Sequence, residues 1–165
     1  EIYRDNRKLC AGVPDEVLDE MIQLIKKQGH QVRFLELFEI VQKSRNNKFI
    51  PEVQRRILDK ILDPENKNDV LCYRNRSNAR FLKFEFKTRF RDNAYRDEPY
   101  IYHARIIHIL QMCGVGRKNM YLAEAKCQKA LPVEYILELL MKQYDEKTEK
   151  GRSFINLKKA LLGFI

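Results

Sequence analysis

Segment 74–96 gathers the residues best suited to meeting a charged partner. Arg74, Arg76, Arg80, Lys83, Lys87, Arg89, Arg91 and Arg96 stand there against only Glu85 and Asp92. Phe81, Phe84, Phe86 and Phe90 are interleaved with them. Cations attract phosphate or carboxylate, and aromatic rings stack on bases. Four phenylalanines at these steps nevertheless suit burial better than display. The segment is therefore read first as a solvated helix with its rings in the core. An acidic protein surface or anionic lipid comes second, met by Arg74, Arg76, Arg80, Lys83, Lys87, Arg89 and Arg91. Nucleic acid comes last.

Other chemistry is thinner. Cys10, Cys72, Cys113 and Cys127 are widely spaced, with no Cys-x-x-Cys pair. They are read as buried, reduced, metal-free thiols. His103 and His108 are five residues apart, which splits them between two sides of a helix, so a zinc site with His30 is not expected. Gly114-Val115-Gly116-Arg117-Lys118-Asn119 lacks the four-residue gap and the Ser/Thr after Lys that a phosphate loop needs. It reads as a helix stop, with an anion on the next helix start as the lesser alternative. Tyr100, Tyr102 and His103 could carry a proton, but a packed aromatic edge is the better reading. Asp15 beside Glu16, and Asp97 beside Glu98, diverge on a helix and serve as end charges. No nucleophile-elbow pattern surrounds Ser44, Ser77 or Ser153. The expectation is a chain that is no enzyme and takes no cofactor and no metal.

These residues sit on elements that the apolar spacing predicts as helices. The organising stretch is 102–140. Tyr102, Ile106, Ile109, Leu110 and Cys113 recur at three- and four-residue steps, until Gly114 and Gly116 stop the helix. A short helix follows over about 119–129, capped by Asn119. Pro132 opens a third, with Val133, Ile136, Leu137, Leu140 and Tyr144 as its stripe. Upstream, residues 1–9 read as the tail of a helix. Pro14 then starts a helix striped by Val17, Met21, Leu24 and Ile25 and ended by Gly29. Residues 31–43 form another, with Phe34, Leu35, Leu37, Phe38 and Val41 apolar. A polar turn at 44–48 leads to a helix at Pro51, with Val53, Ile57, Leu58, Ile61 and Leu62 inward. Residues 63–69 and 91–99 read as loops. Residues 80–90 fit both a strand and a helix; helix is preferred because nothing else offers a strand partner. Phe154, Leu157, Leu161 and Phe164 mark a last helix after a charged linker.

The stretch also carries a resemblance. Its ordered blocks are Met112-Cys113, Gly116-Arg117-Lys118-Asn119-Met120-Tyr121, Glu124-Ala125-Lys126-Cys127 and Leu131-Pro132-Val133. Further blocks lie upstream at Tyr73-Arg74-Asn75-Arg76, at Asn47-Lys48-Phe49-Ile50 and from Gly29 through His30 to Leu35. Together, over residues 1–145, they resemble the helical repeat (RIH) region that inositol trisphosphate receptors share with ryanodine receptors. One residue is extra after Gly116. The resemblance implies an all-α, armadillo-like α-solenoid fragment of about seven to nine short helices. It also implies a parent that is a tetrameric, ligand-gated calcium-release channel of the endoplasmic reticulum or another calcium store. This piece would lie on the cytosolic face, passing ligand-binding signals toward the pore. Its partners would be other solenoid segments of the same chain and neighbouring subunits. No inositol phosphate or calcium site is carried over. The alternative is a helical-repeat binding module that uses segment 74–96 on an acidic protein or RNA.

Composition agrees with a folded domain. The chain has 165 residues, 44% of them hydrophobic and 33% charged, with a formal net charge of +9. A chain of this size buries roughly 70% of its unfolded surface, enough for one core. Six Gly and five Pro argue against a turn-dense β fold. No apolar run approaches the roughly 18 residues that span a bilayer. A single domain over 1–165 is expected, with a sub-boundary in the 91–99 loop. The absent initial Met and the closing apolar run Ala160-Leu161-Leu162-Gly163-Phe164-Ile165 read as the ends of a piece cut from a longer protein. Such a cut end is expected to associate with a second copy or to fold back on its own core.

Overall fold

The computed structural model describes residues 2–3, 6–43, 48–71, 73–76, 83–86, 98–114 and 121–141, together with 155, 158–160 and 162. At 73–76, 83–86, 98–100, 121 and 138–139 it describes the backbone alone. The chain is mostly helical. Helix α1 (Arg7–Ala11) is capped by Asn6, whose side chain accepts from the Leu9 amide at 3.1 Å. Helix α2 (Asp15–Gln28) starts after Pro14, with Asp15 and Glu16 in its first turn and Lys26 and Lys27 in its last. Those charges oppose the partial charges at each helix end. Gly29 ends the helix with φ 88°, a left-handed conformation that suits glycine.

Residues 31–43 are not one regular helix. A 3-10 turn, Val32–Phe34, precedes α3 (Glu36–Val41). Phe34, Leu35, Phe38 and Val41 are buried, and Leu37 packs against the core from its edge. Of the polar turn, residues 44–47 lie outside the described residues, but Lys43 pairs with Phe49 in an antiparallel bridge that closes it. Pro51 opens α4 (Pro51–Leu62), which buries Val53, Gln54, Ile57, Leu58 and Ile61. The predicted loop at 63–69 is partly helical. The Asp63 carbonyl and carboxylate accept from Asn66, Lys67 and Glu65, and this turn leads into the one-turn helix α5 (Lys67–Val70). Loop composition missed it because Asp and Asn also bond the backbone at helix starts.

Segment 80–90, read as helix, contains a strand. β2 (Lys83–Phe86) pairs antiparallel with β1 (Tyr73–Arg76), setting Tyr73 opposite Phe86, Arg74 opposite Glu85, Asn75 opposite Phe84 and Arg76 opposite Lys83. The partner that sequence reasoning found missing is the short stretch after Leu71. Pairing satisfies the backbone groups along the shared edge of the two segments, so the alternation of Phe84 and Phe86 outweighs the wide helical stripe.

Helix α6 (Glu98–Gly114) is the longest of the described elements, at 17 residues. Tyr102, His103, Ile106, Ile107, Ile109, Leu110, Met112 and Cys113 are all buried. Residues spread that widely around a helix mean a central element rather than a surface one. It packs against α4, α7 and the 3-10 turn, while α4 also meets α1, α2, α5 and α7. Gly114 is the last helical residue of α6, but Gly29 alone has positive φ among the described glycines, so Gly114 does not stop α6 by a left-handed turn. Helices α7 (Tyr121–Ala130) and α8 (Val133–Met141) follow. Residues 91–97, 115–120 and 142–154, and the terminal stripe of Phe154, Leu157, Leu161 and Phe164, lie outside the described residues. Among those described, no helix is long and apolar enough to cross a membrane.

Two predicted stripes are rotated. In α2 the fully buried residues are Leu18, Ile22 and Ile25, with Val17, Met21 and Leu24 at the edge of the core. Among the described side chains of α8 the buried ones are Tyr135 and Ile136, whereas Val133, Leu137 and Met141 are 54%, 51% and 82% exposed. Apolar spacing allows either rotation of α8. The polar contact made by Tyr135 selects the one seen.

Candidate functional site: the polar seam around the central helix

Buried polar groups cost stability unless they are satisfied, so their partners show what the fold is built to hold together. Four aromatic polar residues pair up on and around α6, two of them its own. His30, delivered by the left-handed turn at Gly29, lies with Nε2 2.7 Å from the Asp69 carbonyl. Its ring stacks on Tyr102, centroids 4.7 Å apart and 29° between planes. The Tyr102 hydroxyl donates to the Val70 carbonyl at 3.1 Å. One residue on, His103 Nε2 lies 2.8 Å from the Tyr135 hydroxyl, with the rings 5.8 Å apart and edge-on. The cluster joins the end of α2, α5, α6 and α8.

Burial pushes the His103 imidazole down to about 3, with the neighbouring His30 as the second cause. A general base works best with a pKa near the working pH. His103 is neutral at any ordinary pH and is fully buried. In that setting it makes a buried hydrogen bond with Tyr135. Tyr100 is described by backbone alone.

The C-terminal end of α6 is held from the other side. Buried Gln54 donates through Nε2 to the Met112 carbonyl at 2.5 Å. Buried Gln42 donates to the Phe38 carbonyl at 2.9 Å and accepts from the Cys113 thiol at 3.2 Å. The Cys127 thiol of α7 reaches the Leu110 carbonyl at 3.5 Å. Burial raises that thiol to about 12, with Glu124 adding to the effect and Lys126 opposing it. A thiol so disposed is a weak nucleophile. Cys10, Cys113 and Cys127 are buried thiols; Cys72 lies outside the described residues. Among the described residues no three His, Cys, Asp or Glu lie together to hold a metal ion.

Ion pairs rim the seam. Arg56 of α4 contacts Asp15 and donates to the Val13 carbonyl at 2.6 Å. Lys60 reaches Asp19 at 2.6 Å, and Lys126 reaches Asp59 at 2.5 Å. Arg105 of α6 pairs with Glu39 of α3. Asp15 is therefore more than an end charge: its hydrogen bond with Arg56 holds its carboxyl below the usual range. Sequence reasoning missed Gln42, Gln54 and Tyr135. The one available signal was a glutamine or tyrosine standing at an otherwise apolar helical position.

The basic segment is only partly described. Arg74 and Arg76 lie on β1 and Lys83 on β2. Arg80, Lys87, Arg89 and Arg91 lie outside the described residues, as does the 115–119 loop. The structure thus sets Arg76 opposite Lys83 and Arg74 opposite Glu85 in the register, and says nothing of the other four patch residues.

What these features define is a helical packing body in which Tyr102, His103, Gln42, Gln54 and Cys127 hydrogen-bond within the buried interior. No family model matches the chain. It is 25% identical over 142 residues to the inositol 1,4,5-trisphosphate receptor itr-1 of Caenorhabditis elegans. That alignment covers 84% of this chain and 5% of the receptor, so the chain spans a small part of the relative it matches.

Proposed function

We propose that this chain is a cytosolic α-solenoid segment of an intracellular ligand-gated calcium-release channel, and that it transmits ligand-binding signals toward the pore. The similarity to an inositol trisphosphate receptor along 84% of the chain carries this reading. The seam supports it. Helices tied through buried hydrogen bonds and rim ion pairs move as a unit, as a transmitting element must. The segment has no catalytic role. Its partners are adjoining solenoid segments and neighbouring subunits of a tetramer. Its place is the cytosolic face of the endoplasmic reticulum or another calcium store.

The test uses the full-length product of the same gene. Expressed in cells lacking their own store-release channels, it should restore agonist-evoked calcium release. Disrupting the seam with Gln54→Leu should weaken that release without removing the protein from the membrane. A full-length chain without several apolar stretches of about 20 residues would end the channel reading.

A further inference from the structure

Helix α8 is held differently from the helices before it. Among the described residues, one contiguous core runs from Cys10 of α1 to Cys127 of α7. Tyr135 and Ile136 are buried but stand outside it. The close pairings between helices likewise run among α1–α7 and leave out α8.

The seat of α8 is small, and its centre is polar. The Tyr135 hydroxyl lies 2.8 Å from His103 Nε2, with both side chains buried. Val133, Leu137 and Met141 stay more than half exposed. Residues 131–132 form the turn from α7. There the Leu131 amide donates to the Cys127 carbonyl at 2.8 Å, and the Tyr135 amide donates to the Pro132 carbonyl at 3.1 Å. A helix that buries few apolar side chains gains little by docking, so one buried hydrogen bond weighs heavily in whether it stays docked. The geometry points to α8 as a latch: it opens about the 131–132 turn while α1–α7 stay folded, and the contact between Tyr135 and His103 holds it shut. Closed, α8 moves with the helices tied along the seam. Open, it is uncoupled from them and water reaches His103. The latch does not rest on the channel reading, since α8 can open in a chain that releases no calcium.

Amide exchange of the 165-residue chain under native conditions, followed in rising urea below the unfolding midpoint, tests this. In the parent chain, α8 should exchange at least about tenfold faster than α4 and α6. Its opening should depend only weakly on urea, because it exposes little surface. Tyr135→Phe keeps the ring and removes the hydroxyl, and should speed α8 exchange by about tenfold. Tyr135→Asp places a charge that resists burial and should hold α8 open. Protection is then lost over 133–141 and kept in α4 and α6, and diethyl pyrocarbonate labels His103, which it spares in the parent. Equal exchange of α8 and α6 in the parent overturns the latch, as does loss of protection throughout the Tyr135→Asp chain. Unchanged α8 exchange in Tyr135→Phe means simple fraying of a helix end and also overturns it.

Discussion

His103 shows how far a single residue's setting can depart from its type. The group is neutral in the folded chain to about pH 3 because burial disfavours its charge, whereas the unfolded chain takes up a proton near pH 6.5. Between those values the unfolded state binds the extra proton. Stability is therefore full above about 6.5 and falls as pH drops toward 3, by at most about 1.4 kcal/mol per unit from this group. Urea unfolding at pH 7, 6 and 5 checks the trend, and His103→Asn should flatten it. A midpoint that does not move across that range refutes the buried neutral imidazole.

Gln54 makes a second prediction at the same scale. Its amide satisfies a carbonyl in the last turn of α6, where helical partners run out. Gln54→Leu keeps the volume and removes the donor, and should cost roughly 1–3 kcal/mol. Denaturant titration reads this directly, and a variant as stable as the parent would show that the contact contributes nothing.

At the scale of elements, α8 separates periodicity from packing. Ile136 and Leu137 both belong to the predicted stripe, yet Ile136 is buried and Leu137 is half exposed. Ile136→Ala should cost roughly 2–5 kcal/mol, and Leu137→Lys within about 0.5 kcal/mol. Thermal unfolding of the two variants distinguishes the rotations; equal or reversed costs would return α8 to the orientation its apolar spacing suggested. The same scale explains the 80–90 segment. A strand exists only with its partner, and the partner here is four residues that carry no strand signal alone.

For the whole molecule, the resemblance invites a ligand test. The basic residues of 74–96 form a run in sequence rather than a cleft gathered from two domains. The isolated chain should therefore show no saturable binding of inositol trisphosphate at physiological salt. Calorimetric titration checks this, and micromolar saturable heat would contradict it.

The sequence alone determined the helices whose apolar residues repeat over several turns and whose ends carry Pro, Gly or acids. Pro14, Gly29 and Pro51 mark their boundaries correctly, and the inward residues of α4 and α6 follow from spacing, because both signals are local backbone and burial preferences. Tertiary structure decided what local preference leaves degenerate. It selected the rotation of α8 through the bond between Tyr135 and His103, and strand over helix at Lys83–Phe86 through Tyr73–Arg76. It also joined Gln54 to Met112 across 58 positions. Each depends on a partner distant in sequence, and an interaction between two distant groups leaves no periodic trace near either one.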